Sequence, residues 1–291
     1  MKLLATLLLV FSFSFSEIRV VATYHWIGDL VRKIGGDRVK VSVISDPRID
    51  PHFIPPKPSF IAKLRRADLL VINGAGLEDG FLPPLLKRSA NPKIQKGSEG
   101  YLDLSRFVQL IEKPKKLTRA LGDIHPYGNP HYHLDPENIP VLADAIKEKL
   151  CSLEPPSCEE FEENLRRFLN VWEENKRKWH KEMETLKGTR VISYHSIFNY
   201  FIKRYGLVLV NTIEPKPGIP PSPRHLAKLL KEIEGVKLIL QDVYHEKKSA
   251  RWLSERTGAK VVILPHDVGS VKGAEDIISL FGEIVRRLKD G

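Results

Sequence analysis

What most constrains this chain is an alternation between two periodicities. From Glu17 onward, apolar runs rich in β-branched residues occur at 18–24 (IRVVATY), 39–45 (VKVSVIS) and 67–76 (ADLLVINGAG), and amphipathic helical patterns at 25–36, 58–66 and 78–89 separate them. The rhythm resumes after Gly188, where runs at 189–195, 207–213, 236–242 and 259–265 alternate with four more helical stretches. Parallel strands need a crossover between them, and a helix supplies it. The expected fold is therefore α/β, with two lobes of parallel sheet flanked by helices.

The longest helical pattern lies between the halves, at 157–186. Phe161, Leu165, Phe168, Trp172, Trp179, Met183 and Leu186 fall in steps of three, four and seven and make one apolar stripe. Glu162/Arg166, Glu163/Arg167, Glu173/Arg177 and Glu174/Lys178 are i,i+4 pairs on the other faces. At about 1.5 Å per residue such a helix is about 45 Å long, enough to run beside both lobes. Nothing glycine-rich interrupts it, and it is too short for the sustained heptads of a coiled-coil seam. The expected organisation is a leader at 1–16, an N-terminal α/β lobe at 17–150, a linking segment with one long rigid helix at 151–187, and a C-terminal α/β lobe at 188–291.

The leader, MKLLATLLLVFSFSFS, joins one lysine to an apolar run that ends in small residues at Ser14 and Ser16. It reads as a secretory signal peptide cleaved near Ser16–Glu17, since the run is shorter than the roughly 20 apolar residues of a membrane span. No cysteine lies near that junction, so no lipid anchor is expected there. Cys151 and Cys158 are the only cysteines. In an oxidising compartment they either close one local disulfide or stay as two thiols, and alone they offer no four-cysteine zinc framework. The net charge of +10 raises nucleic acid as a partner. However, the basic residues are interleaved with glutamates, as in EENLRRFLNVWEENKRK, which is a solvated-helix pattern, and export argues further against it.

Open parallel sheets bind ligands beyond the carboxyl ends of their strands. His195 ends one strand run, His52 follows another in PRIDPHFIPPKPS, His266 and Asp267 follow the last, and His131 lies in GNPHYHLDP just before a helical pattern. Four loops thus bring an imidazole or carboxylate to one expected cleft, and three imidazoles with one carboxylate complete a tetrahedral Zn²⁺ site. Proline precedes both His52 and His131 and restricts the chain leading into them. His133 reads as a loop contact behind the ligands, and His125 either meets an incoming ion or does nothing. His25, His180, His225 and His245 lie in or beside helices and read as surface or capping residues.

The segments IDPHFIPPKPS, GNPHYHLDPENI, ISYHSIFNYFIKRYGL, TIEPKPGIPPSPRHLAKLLKEI and VVILPHDVG, taken together and in this order, resemble the solute-binding receptors of bacterial zinc and manganese ABC importers, the ZnuA/TroA type. The resemblance implies metal ligands at His52, His131, His195 and Asp267, with His266 as the alternative to Asp267; His125 and His133, from their own loop positions, are secondary candidates. It also implies two lobes joined by one long rigid helix, and a monomer that delivers its ion to a permease in the inner membrane. Two departures stand out: His266 sits beside the expected carboxylate, and 121–129 offers only His125 where many zinc receptors carry a long histidine-rich loop. Imidazole suits Zn²⁺. The resemblance points the same way, because manganese receptors tend to carry glutamate where this chain has His195, so Zn²⁺ is expected and Mn²⁺ is the alternative.

Two other functions are weighed. A zinc-dependent hydrolase needs a general base, yet no HExxH motif is present, and Tyr194 and Glu214 have simpler structural readings. A periplasmic zinc chaperone would have the same site and differ only in its partner.

Overall fold

The computed structural model of the chain describes residues 17–114 and 125–291. The expected leader lies outside the described residues, as does most of the segment leading to His125.

The N-terminal lobe runs β1 (Ile18–Ala22), α1 (His25–Gly35), β2 (Val39–Val43), α2 (Pro58–Arg65), β3 (Leu69–Ile72), α3 (Leu82–Ser89) and β4 (Tyr101–Asp103). Two helices follow, α4 (Asn138–Leu153) and α5 (Cys158–Met183). The C-terminal lobe runs β5 (Arg190–Ser193), α6 (Asn199–Arg204), β6 (Val208–Thr212), α7 (Pro223–Glu232), β7 (Leu238–Gln241), α8 (Lys248–Thr257), β8 (Lys260–Ile263) and α9 (Ile277–Asp290). All strand pairs in both sheets are parallel, in the orders β2-β1-β3-β4 and β6-β5-β7-β8. Each lobe therefore starts on an inner strand and adds its next two strands on opposite sides. The chain switches direction between β1 and β3, and between β5 and β7, and at such points loops diverge and leave a crevice.

Two elements differ from the expectation. β4 is absent from it, because three residues are too few to register a period; the strand exists because Tyr101 and Leu102 pair with Leu70 and Val71. α3 begins at Leu82 rather than near Glu78, with Pro83 and Pro84 in its first turn, where a missing N–H costs nothing.

The apolar stripe of α5 is buried at Phe161, Leu165, Phe168, Trp172, Trp179 and Met183. It packs on α1 and α4 on one side and on α9 on the other, so one helix braces both lobes. Trp172 meets Trp179 and Phe281 of α9 edge-on at 5.2 and 5.3 Å. The main core is accordingly continuous across both lobes, while Ile192, Ile213, Leu229, Ile239 and Leu253 form a separate cluster on the other face of the C-terminal sheet. Cys151 and Cys158 are joined by a disulfide, which ties the end of α4 to the start of α5.

The lobes also cap each other. No side chain of its own caps α1, and the carboxylate of Asp267 accepts from the backbone N–H groups of His25 (3.1 Å) and Trp26 (2.7 Å). In return Asp29 on α1 accepts from the N–H of Ile277, the first residue of α9, at 2.9 Å.

Candidate metal centre

His195 lies two residues beyond the end of β5, His52 hangs on the loop after β2, and His131 sits on the turn that precedes α4. The crevice brings the three together: one ring nitrogen from each lies within 4.8 Å of the others. Ring centroids are 5.2 Å apart for His52–His131, 5.2 Å for His52–His195 and 5.5 Å for His131–His195.

Two of the rings are oriented by carboxylates. Asp50 accepts from the backbone N–H of His52 at 2.9 Å and lies 2.6 Å from its Nδ1. Glu214 lies 2.7 Å from Nδ1 of His195. An ionised carboxylate can only accept, so each contact suits an N–H on Nδ1 and leaves Nε2 to offer its lone pair. Burial disfavours the ionised forms of both acids, but hydrogen bonds from His52 to Asp50, and from His195 and His245 to Glu214, hold both carboxyls below their usual range.

His131 is held by its backbone instead. Its N–H donates to Oδ1 of Asn129 (2.9 Å), whose Nδ2 donates to the Ser196 carbonyl (2.8 Å) and whose own carbonyl accepts from the Tyr200 hydroxyl (2.8 Å). The turn is thus fastened to the C-terminal lobe. On the other side, Nδ2 of Asn73 donates to the Pro130 carbonyl at 3.2 Å, and the Tyr132 hydroxyl donates to the Asn73 carbonyl. Gly128 takes φ +119°, and a Cβ there would come within 2.7 Å of the Ile111 carbonyl, so this turn needs glycine. Both ring nitrogens of His131 are buried without a hydrogen-bond partner among the described residues, and so is Nε2 of His52. Burial, followed by the neighbouring His52 and His195 rings, pushes the His131 imidazole well below its usual range, which keeps it in the neutral, metal-binding form.

A tetrahedral Zn²⁺ with Zn–N bonds of about 2.0 Å wants its nitrogens about 3.3 Å apart, a contraction within the reach of loop side chains. Three imidazoles backed by two carboxylates suit a divalent cation in charge and in ligand type. A cavity of about 570 Å³ opens beside His52 and His125, lined by Phe53, Gly76, Leu77, Asp79 and Phe81 among others.

The other expected residues are placed differently. Asp267 is placed apart from the histidine group: both of its oxygens accept from N–H groups at the start of α1, and Oδ1 also accepts from the Val268 N–H at 2.8 Å. His266 packs edge-on against Tyr244 at 4.9 Å, and its carbonyl is 2.9 Å from Nε2 of His133, which stacks on Trp26 at 5.0 Å. These two link the lobes rather than joining the group. His125 stacks on His52 at 5.1 Å, its Nε2 is buried and unpaired among the described residues, and burial, then His52 and His195, holds its ring down to about 3. Of the four histidines expected at the surface or in caps, His245 is a correction, because its ring lies between Asp242 and Glu214 at 2.7 and 3.3 Å. Asp50 was not singled out from the sequence, although it stands only two residues before His52, whereas Glu214 comes from 19 residues away and reaches His195 only through strand pairing.

A cation-competent crevice between two parallel α/β lobes braced by one helix defines a solute-binding receptor with a metal centre. The chain matches the ZnuA family, zinc-uptake complex component A, periplasmic, over residues 20–291, and it belongs to that family. The metal ABC transporter substrate-binding lipoprotein ScbA of Streptococcus cristatus is 25% identical over 225 residues, which cover 77% of this chain and 70% of that protein. The manganese ABC transporter substrate-binding lipoprotein PsaA of Streptococcus mitis is 25% identical over 224 residues, covering 76% and 70%. A zinc-bound deletion mutant of ZnuA superposes with a TM-score of 0.78 at 25% identity, covering 94% of this chain and 97% of that one.

Proposed function

We propose that this protein captures Zn²⁺ outside the cytoplasm on His52, His131 and His195 and delivers it to the membrane permease of an ABC importer. The observation that carries this reading is the meeting of three imidazoles, two of them with buried nitrogens unpaired among the described residues, at the carboxyl ends of two sheets. An all-nitrogen donor set favours Zn²⁺ over Mn²⁺, which prefers oxygen. Water or His125 fills the fourth position, since Asp267 is committed to α1. Export through the leader and action as a monomer belong to the same reading.

Dialysis of the mature protein against equal Zn²⁺ and Mn²⁺, followed by elemental analysis, tests the choice of metal. One zinc per chain with manganese near background is expected. Stoichiometric manganese in place of zinc would overturn the assignment of cargo.

A further inference from the structure

Glu214 sits where no local spacing would put it. Pairing between β5 and β6 continues past both strands, with Ile213 N–H donating to the Ser193 carbonyl (2.8 Å) and Glu214 N–H to the Tyr194 carbonyl (3.0 Å), which sets Glu214 beside His195. Its two oxygens are divided: Oε2 is 2.7 Å from Nδ1 of His195, and Oε1 is 3.3 Å from Nε2 of His245. His245 is in turn 2.7 Å from Asp242 through Nδ1, and its ring stacks on Tyr194 at 4.3 Å. Asp242 is itself anchored, accepting from the backbone N–H groups of Tyr244 (3.1 Å) and His245 (2.8 Å). Asp242, His245, Glu214 and His195 thus form one chain of contacts from the end of β7 to the metal centre.

We infer that Glu214 is a positioning residue for metal capture: it holds His195 with its proton on Nδ1 and Nε2 toward the ion, and it places a negative charge behind that ligand. This rests on the reading of His52, His131 and His195 as ligands. A carboxylate that accepts a ligand imidazole's N–H fixes the ring and raises its donor strength. Because the expected carboxylate ligand, Asp267, is spent on α1, the charge that balances a divalent ion comes from behind the rings, from Glu214 at His195 and from Asp50 at His52. The His245–Asp242 pair keeps Glu214 from swinging in to ligate the ion itself.

The test is competition of Zn²⁺ between a chromophoric chelator and the full mature chain, for wild type, Glu214→Gln and His195→Ala, with metal-free melting curves as fold controls. Glutamine keeps an acceptor for Nδ1–H and removes the charge, so Glu214→Gln is expected to weaken zinc about 10- to 100-fold with unchanged stoichiometry. A variant that melts like wild type and binds zinc within twofold of it would overturn the inference. Should Glu214→Gln not fold, two-bond ¹⁵N–¹H spectra of the metal-free wild type decide: His195 protonated on Nδ1 is expected, and protonation on Nε2 overturns the proposal. Zinc binding undiminished in His195→Ala would defeat the ligand reading itself; loss there alone, with Glu214→Gln like wild type, would defeat only the role of Glu214.

Discussion

Asp267 and Asp50 show how the same side chain is put to different uses by what lies within reach. Asp50 stands two residues before His52 and turns back onto its imidazole, a local contact that was not singled out from the sequence although its spacing is short. Asp267 also sits beside a histidine after a strand, but the unsatisfied N–H groups at the start of α1 claim it, and no local pattern reveals an obligation to an element 242 residues away. His52, His131 and His195 were legible because strand ends and prolines locate them. His245 was not, because both carboxylates that enclose it are brought there by the C-terminal sheet and its loops. Asp267→Ala is therefore expected to lower unfolding stability by about 2 kcal/mol, as the loss of a helix cap does, and to leave one zinc bound. Denaturant titration and metal analysis check this, and loss of the zinc with the fold intact would restore Asp267 as a ligand.

At the scale of elements, long periodic segments were the readable ones. The stripe runs the length of α5 and is buried from Phe161 to Met183, with only Leu186, half-buried, falling in the turn beyond the helix, whereas three-residue β4 and the proline-bound start of α3 depend on partners elsewhere. α9 carries a pH-dependent contribution of its own. Hydrogen bonds from Arg286 hold the Glu283 carboxyl at about 2 against the opposing effect of burial, and Arg287 adds to them, while its ordinary value is 4.5. As the pH falls, the unfolded chain takes up this proton first, so the contribution is fully present above about 4.5 and is lost between there and about 2. Urea midpoints measured at pH 5, 4 and 3 should fall more steeply for wild type than for Glu283→Gln; parallel curves would show that the arginine contacts contribute nothing.

For the whole molecule, the two lobes do not stand as independent bodies on a flexible joint. α5 contributes to a core continuous with both, and Asp267 and Asp29 cap helices of the opposite lobes. Large hinge rotation would break those caps and strip apolar surface from α5. Capture should therefore proceed by local ordering of the His52 and His131 loops. Small-angle scattering is expected to show nearly the same radius of gyration with and without Zn²⁺, and a compaction of several ångströms would show that the brace bends. The central claim is that three imidazoles on three separate loops hold one ion. The most direct test is calorimetric zinc titration of the mature protein and of His131→Ala, the ligand whose ring nitrogens have no hydrogen-bond partner among the described residues. One zinc per chain in the wild type, weakened at least about 100-fold in the variant, is the predicted result, the size expected when one of three ligands is removed. Binding that is absent from the wild type, or undisturbed in His131→Ala, would contradict the account.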